Sequence, residues 1–202
     1  TPAPAPETSI PEKPLWQTAL TQKPDQSSLT SVIILTWNQL EHTRRCVESI
    51  AAHTPEPHEL IFVDNGSTDG TVAWLREYAN GRQHVRLIEN QSNRGFAGGN
   101  NQGLSLAKGD FVLLLNNDTI VTPGWLGGLL RVAATDPRIG LVGPMSNSVS
   151  GAQLVPRVPY RAPEMLAAFA TPWAVGNAGQ IQPAVRLVGF CLLMRRAVMQ
   201  TV

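Results

Sequence analysis

Phe111 to Leu115 is a run of five apolar residues that stops abruptly at Asn116, Asn117 and Asp118. The run is too short for a helix and fits a strand buried on both faces. Three other stretches share its form. Ser31 to Thr36 is β-branched and apolar in its middle and ends at Trp37-Asn38. Glu59 to Asp64 ends at the tight polar loop Asn65-Gly66-Ser67-Thr68-Asp69-Gly70. His84 to Glu89 leads into the polar loop Asn90 to Arg94. The last of these strands alternates more, which places it nearer a sheet edge.

Helical patterns separate the strands. Cys46, Val47, Ile50 and Ala51 mark a helix over Leu40 to His53. Val72, Leu75, Arg76 and Ala79 mark a second. Gly95 to Ala107 is a small-residue helix, with Gly98, Gly99 and Gly103 allowing close approach of backbone or ligand. Pro123 is expected at the first position of a helix running to Thr135. Strand and helix thus alternate four times, the pattern of a mostly parallel sheet with helices on both faces. Right-handed crossovers bring the strand ends to one edge, where open α/β sheets bind ligands. One polar cluster there is a turn; four on one edge make a site. Beyond these units the pattern loosens. Ile139 to Val142 reads as a short strand, Pro163 to Ala170 as a helix inside a Gly/Pro-rich stretch, and Leu187 to Met194 as a buried strand. Arg195 to Val202 begins a further helix.

The 202 residues suit one domain. Residues 1–28 are Pro-rich and read as a linker, residues 29–202 as the folded domain. The chain is expected to be part of a longer multidomain protein and incomplete at its C-terminus. Net charge is +1 and the longest basic runs are the pairs Arg44-Arg45 and Arg195-Arg196, so a basic surface for nucleic acid is not expected. No apolar stretch approaches the roughly 18 residues of a membrane span. The start lacks the apolar core of a signal peptide. A cytoplasmic place, peripheral to the inner membrane face, is expected. Cys46 and Cys191 read as buried thiols of a reducing compartment. The four histidines show no metal-ligand spacing.

The chemistry of the edge follows from its residue types. Asp118 is a hard oxygen ligand suited to Mg²⁺ or Mn²⁺, ions often shared with nucleotide phosphates. No GxxxxGK[ST] cradle, no GxGxxG after the first strand and no G-x-S-x-G elbow are present. A nucleotidyltransferase would want basic residues at the first strand turn, and Thr36 to Leu40 has none. Carboxylates, amides and one metal ligand remain, which suits a nucleoside diphosphate.

Four ordered motifs then carry a resemblance: Ser-Val-Ile-Ile-Leu-Thr-Trp-Asn from Ser31, Phe-Val-Asp-Asn-Gly-Ser-Thr-Asp-Gly-Thr from Phe62, Asn-Arg-Gly-Phe-Ala-Gly-Gly-Asn-Asn-Gln-Gly from Asn93, and Gly-Asp-Phe-Val-Leu-Leu-Leu-Asn-Asn-Asp-Thr from Gly109. Together they resemble the family 2 glycosyltransferases with the GT-A fold, over about Leu29 to Met199. The Asn-Asn-Asp ending resembles the bacterial rhamnosyltransferase-like branch. The resemblance implies a nucleotide-sugar site of Thr36, Trp37, Asn38, Asp64, Asn65, Gly66, Asn93, Gly95, Asn101 and Asn117, with Asp118 holding Mg²⁺ or Mn²⁺. It implies that Trp37 replaces a Tyr, Asn65 replaces the second of an acidic pair at base and ribose, Asn100 stands where many members carry Arg, and Asn116 replaces the first acid of the metal motif. The implied reaction moves a sugar from a UDP-, dTDP- or GDP-sugar to a saccharide, lipid-linked or protein acceptor with inversion, in bacterial polysaccharide or glycoconjugate synthesis. The family's general base lies in an acidic pair downstream of the strand matching Leu187 to Met194, so it is expected beyond Val202, and a fragment inactive by itself is expected. The alternative is a non-catalytic nucleotide-sugar or partner-binding module on the same fold. Asp64 as a simple turn cap is the structural alternative at that residue.

Overall fold

A computed structural model describes residues 28–199. The Pro-rich stretch read as a linker lies outside the described residues, Ser28 apart. Within them the chain forms a six-stranded sheet in the order β3-β2-β1-β4-β6-β5. β1 (Thr30–Thr36) is central, and β2 (His58–Asp64) and β4 (Phe111–Asn116) flank it in parallel. β3 (Val85–Glu89) joins β2 in parallel and is the sheet edge its alternation foretold.

Side-chain alternation along β1 feeds two cores. Val32 and Ile34 point to one face, where α1 (Leu40–His53), α2 (Thr71–Ala79) and α4 (Trp125–Thr135) pack with Cys46, Val47, Ile50, Leu75, Leu126 and Leu130. Ile33 points to the other face, with Ile61, Val63 and Val112, under Leu104 and Leu106 of α3 (Gly95–Leu106). Helices therefore cover both faces, as the alternation of strand and helix requires. α3 sits unusually close. A Cβ at Gly103 would lie 2.5 Å from Ile33 Cγ2, and one at Gly99 would lie 2.3 Å from Leu35 Cδ1. The small residues of α3 thus serve helix-on-sheet contact.

The structure differs from the sequence reading at several boundaries. The helix after β4 starts at Trp125, because Gly124 turns the chain through the left-handed region (φ 77°) and leaves Pro123 outside. The fifth strand shortens to β5 (Leu141–Val142), since Ile139 is held in a turn by its N–H bond to the Asp136 carbonyl. The late strand is β6 (Cys191–Arg195), not Leu187 to Met194. Val188 N–H instead donates to Gln153 Oε1 at 2.6 Å, which ties the preceding residues to the irregular segment. β6 runs antiparallel between β4 and β5. The helix expected over Pro163 to Ala170 opens as a 3₁₀ turn (Pro163–Met165) and continues as α5 (Leu166–Gly176), through Pro172. α6 (Arg196–Met199) follows β6 directly. Among the described residues no helix is long and apolar enough to cross a membrane.

Candidate active site

Register fixes which polar clusters are neighbours. Thr36 stands opposite Asp64, Asp64 opposite Glu89, and Leu35 opposite Asn116. The residues following β3, β2, β1 and β4 therefore line one edge in that spatial order. β6 begins at the same edge, since Cys191 faces Leu115 and the Phe190 carbonyl accepts the Asn116 N–H at 2.8 Å.

Asp64 is fully buried at the end of β2. Its Oδ2 accepts the Thr36 hydroxyl at 2.8 Å and the Ser67 hydroxyl at 2.5 Å. Its Oδ1 accepts the N–H of Gly66 at 2.9 Å and of Ser67 at 2.7 Å. A carboxylate has about four acceptor positions, and all are taken. Thr36, also fully buried, is engaged with Asp64. These two residues form the floor of the edge and shape the Asn65–Gly66 loop. Gly66 needs its left-handed φ of 82° there, and a Cβ would press on the Ser92 backbone at 3.2 Å.

Asn38 clasps this loop to β1. It turns through φ 57°, its N–H donates to Ser67 Oγ at 2.6 Å, and its Oδ1 accepts the Thr68 N–H at 2.8 Å. Asp69 joins two helix starts, accepting Leu40 N–H at 3.0 Å and both the N–H and hydroxyl of Thr71. Slight burial would raise its pKa, but these donors outweigh it and hold the carboxyl below its ordinary range. Trp37, between the clasped residues, is left 57% exposed at the edge.

Asn65 is the hub of an amide network. Its Nδ2 donates to Asn93 Oδ1 at 3.1 Å and to the Gly95 carbonyl at 3.3 Å, while its Oδ1 accepts from Asn90 Nδ2 at 3.0 Å. Asn90 and Gln102 exchange two amide bonds at 2.8 and 2.9 Å. Asn93 Oδ1 also accepts the Gly95 N–H at 2.7 Å. The network fixes the start of α3, leaving Asn93, Gly95, Phe96 and Asn101 exposed. Asn100 turns inward, buried, with its Nδ2 on the Phe96 carbonyl at 2.9 Å.

Asn117 and Asp118 follow β4. Asn117 Nδ2 donates to Thr43 Oγ1 of α1 at 3.0 Å. Asp118 is exposed, and no side-chain hydrogen bond or ion pair engages it among the described residues. No cluster of three or more acidic, His or Cys side chains lies close enough to hold a metal by itself among the described residues. Burial, then the nearby charge of Asp118, pushes the Cys46 thiol up to about 12. Cys191 is raised for the same first reason.

The structure brings ten of the eleven predicted residues to one edge, with distinct surroundings, and leaves Asn101 exposed in the middle of α3, two residues from Gly99 and Gly103, which face the sheet. Trp37, Asn93, Gly95, Asn101 and Asp118 are exposed; Asn38, Gly66 and Asn117 are partly covered; Thr36, Asp64 and Asn65 are buried. The sequence reading missed Ser67, Asn90, Gln102 and Thr43. Ser67 was legible, since a hydroxyl three residues after a strand-end Asp is placed to bond it. A wide concavity of about 690 Å³ lies elsewhere, by Arg76, Asn80 and Leu87 at the end of α2. It carries no comparable set of aligned amides and carboxylates.

A family model described as Glycosyl transferase family 2 matches residues 31–201. An Escherichia coli relative, the uncharacterized glycosyltransferase YibD, is 35% identical over 106 residues, covering 52% of this chain and 30% of that one. The N-acetylglucosaminyl-diphospho-decaprenol L-rhamnosyltransferase of Mycobacterium tuberculosis is 28% identical over 191 residues, covering 82% of this chain and 61% of that one. Among solved structures, the mannosyltransferase PcManGT of Pyrobaculum calidifontis, in complex with GDP-Man and Mn²⁺, superposes with a TM-score of 0.63. It is 20% identical, over 93% of this chain and 52% of that one, a likeness of fold. The fold is GT-A. The chain spans about a third of the length of the first three curated relatives it matches.

Proposed function

We propose a reaction for this chain from one premise: it belongs to glycosyl transferase family 2. The reaction is transfer of a sugar from a nucleoside diphosphate to an acceptor hydroxyl, with inversion and with a divalent metal. It serves synthesis of a bacterial polysaccharide or glycoconjugate. The observation that carries this reading is the pairing of an exposed aromatic, Trp37, with an unpartnered exposed carboxylate, Asp118, on the ends of adjacent strands.

Each feature of the edge has a task in this reading. Trp37 offers its face to the base. Thr36, Asp64 and Ser67 act through the loop they hold, so Asp64 positions the nucleotide-binding backbone rather than contacting the ribose. Asn65 fixes Asn93 and Gly95, which present the first turn of α3 to the diphosphate, the end of a helix suited to anions. Arg94, exposed in the same turn, adds positive charge.

The donor set at β4 fits a hard divalent ion that takes most of its shell elsewhere. Asp118 would hold such an ion with one carboxylate, the rest of the shell being left to diphosphate oxygens and water, as Mg²⁺ and Mn²⁺ accept. The PcManGT complex with GDP-Man and Mn²⁺ supports such a partnership. When bound, the ion supplies Lewis-acid stabilisation of the departing diphosphate. The acceptor oxygen bonds the anomeric carbon as the bond to the diphosphate breaks, and a carboxylate takes the hydroxyl proton. We assign that base to none of residues 28–199. The acceptor is a saccharide, a lipid-linked glycan or a protein, and the M. tuberculosis relative, named for a decaprenol-linked substrate, favours the lipid-linked class.

The test is release of nucleoside diphosphate from UDP-, dTDP- and GDP-sugars with Mn²⁺. Release from one donor class, abolished in Asp118→Ala, supports the transferase. Donor binding without release in the full-length protein, which would carry the expected base, supports the non-catalytic module. A folded protein that neither binds nor cleaves any donor overturns both.

A further inference from the structure

Thr43, Cys46 and Ser49 are spaced three apart on α1 and so share one face. All three are buried. Each reaches the segment that leaves β4. Thr43 Oγ1 accepts the Asn117 amide at 3.0 Å. Cys46 Sγ donates to the Asn116 carbonyl at 3.7 Å. Ser49 Oγ accepts the Val121 N–H at 3.0 Å while donating to the Cys46 carbonyl at 2.7 Å. Together these contacts hold residues 116, 117 and 121, on both sides of Asp118. Asp118 lies in the middle of that segment and is not itself held.

We propose that Thr43, Cys46 and Ser49 are positioning residues for Asp118, a side-chain row that fixes the backbone on either side of the metal-binding carboxylate. The inference rests on the donor-site reading given above. Its physical basis is preorganisation. A single carboxylate in a shell completed by phosphate and water has no second protein ligand to aim it. Its direction then depends on how firmly the neighbouring backbone is fixed. The row also holds the Asn117 amide by its nitrogen, which leaves Oδ1 available toward the donor.

The alternative is that the row only satisfies buried polar groups, in which case its loss lowers stability and leaves metal binding alone. Thr43→Val keeps the shape and removes the acceptor. Binding of UDP, dTDP and GDP is titrated with and without Mn²⁺, and the Mn²⁺-dependent gain is compared between parent and variant. The row predicts a five- to tenfold smaller gain, about the worth of one hydrogen bond. Thr43→Ser should restore it to within about twofold, since the hydroxyl returns. Ser49→Ala carries the same comparison from the far end of the row, with faster hydrogen exchange at the Val121 amide as a direct readout. A folded Thr43→Val with an unchanged Mn²⁺-dependent gain overturns the inference while leaving the donor site standing. So does a Thr43→Ser that fails to restore it. A parent protein with no Mn²⁺-dependent gain overturns the donor-site reading and the row's role with it.

Discussion

Asp64 ends β2 and Asp118 follows the end of β4, the two strands that flank β1, and their surroundings give them opposite tasks. Asp64 is buried with four donors on its carboxylate. Asp64→Asn replaces an acceptor oxygen by an amide donor facing those groups, and should lower stability by about 2–3 kcal/mol, measured by urea denaturation. Asp118 is exposed and no hydrogen bond or ion pair engages it among the described residues, so Asp118→Ala should leave stability within about 0.5 kcal/mol. The thiols make a third residue-scale prediction. Cys46 and Cys191 are fully buried and raised, so neither should react with a disulfide reagent at pH 8 in the folded protein, and both should react in urea. Part of this scale was readable in the sequence. A strand-end Asp before Asn-Gly-Ser marks either a cap or a ligand by type, and only the positions of Thr36 and Ser67 show where its oxygens are used. Thr43 and Ser49 look like ordinary helix residues until β4 is brought against them.

At the scale of elements, the short apolar runs revealed β1, β2 and β4 because a strand buried on both faces leaves little else for such a run to be. The alternation of β3 revealed its edge place for the same reason. β6 resisted, since an apolar run does not state its direction, and its first residues are drawn off by Gln153. α3 was legible as a small-residue helix, while its role on Ile33 and Leu35 needed the packing. Gly103→Ala should force that contact apart and destabilise by about 1–3 kcal/mol, detectable as a lowered Tm. At the opposite end of the sheet, Glu59 joins three elements. It is buried, accepts the Ser31 hydroxyl at 2.6 Å and the Lys108 N–H at 2.8 Å, and pairs with Arg86. Burial works to raise its pKa, and these partners together bring it below the ordinary 4.5. Its folded pKa being depressed, Glu59 adds stability above about pH 4.5, and that share is lost as pH falls through the lower folded value. The stability gap between parent and Glu59→Gln should therefore be open at pH 7 and close on acidification, in urea melts across pH. A gap independent of pH would contradict the charged network.

For the whole molecule, the two ends of the sheet divide the work. The amino end is tied by Glu59 and its partners, while the carboxyl end gathers loops whose polar groups are mostly spent on one another. What is left facing outward is a short set: Trp37, the start of α3, and Asp118. That division is why the four strand-end clusters pointed to a site in the sequence, and why the sequence alone does not separate side chains that hold the loops from those left exposed. The most direct measurement is calorimetric titration with UDP, dTDP and GDP, with and without Mn²⁺, on the parent protein and on Asp118→Ala. One nucleotide should bind more tightly with Mn²⁺, and Asp118→Ala should lose that metal-dependent gain while staying folded. A folded parent that binds none of the three, or one whose Mn²⁺-dependent binding is unchanged by Asp118→Ala, would contradict the assignment of this edge as a metal-assisted donor site.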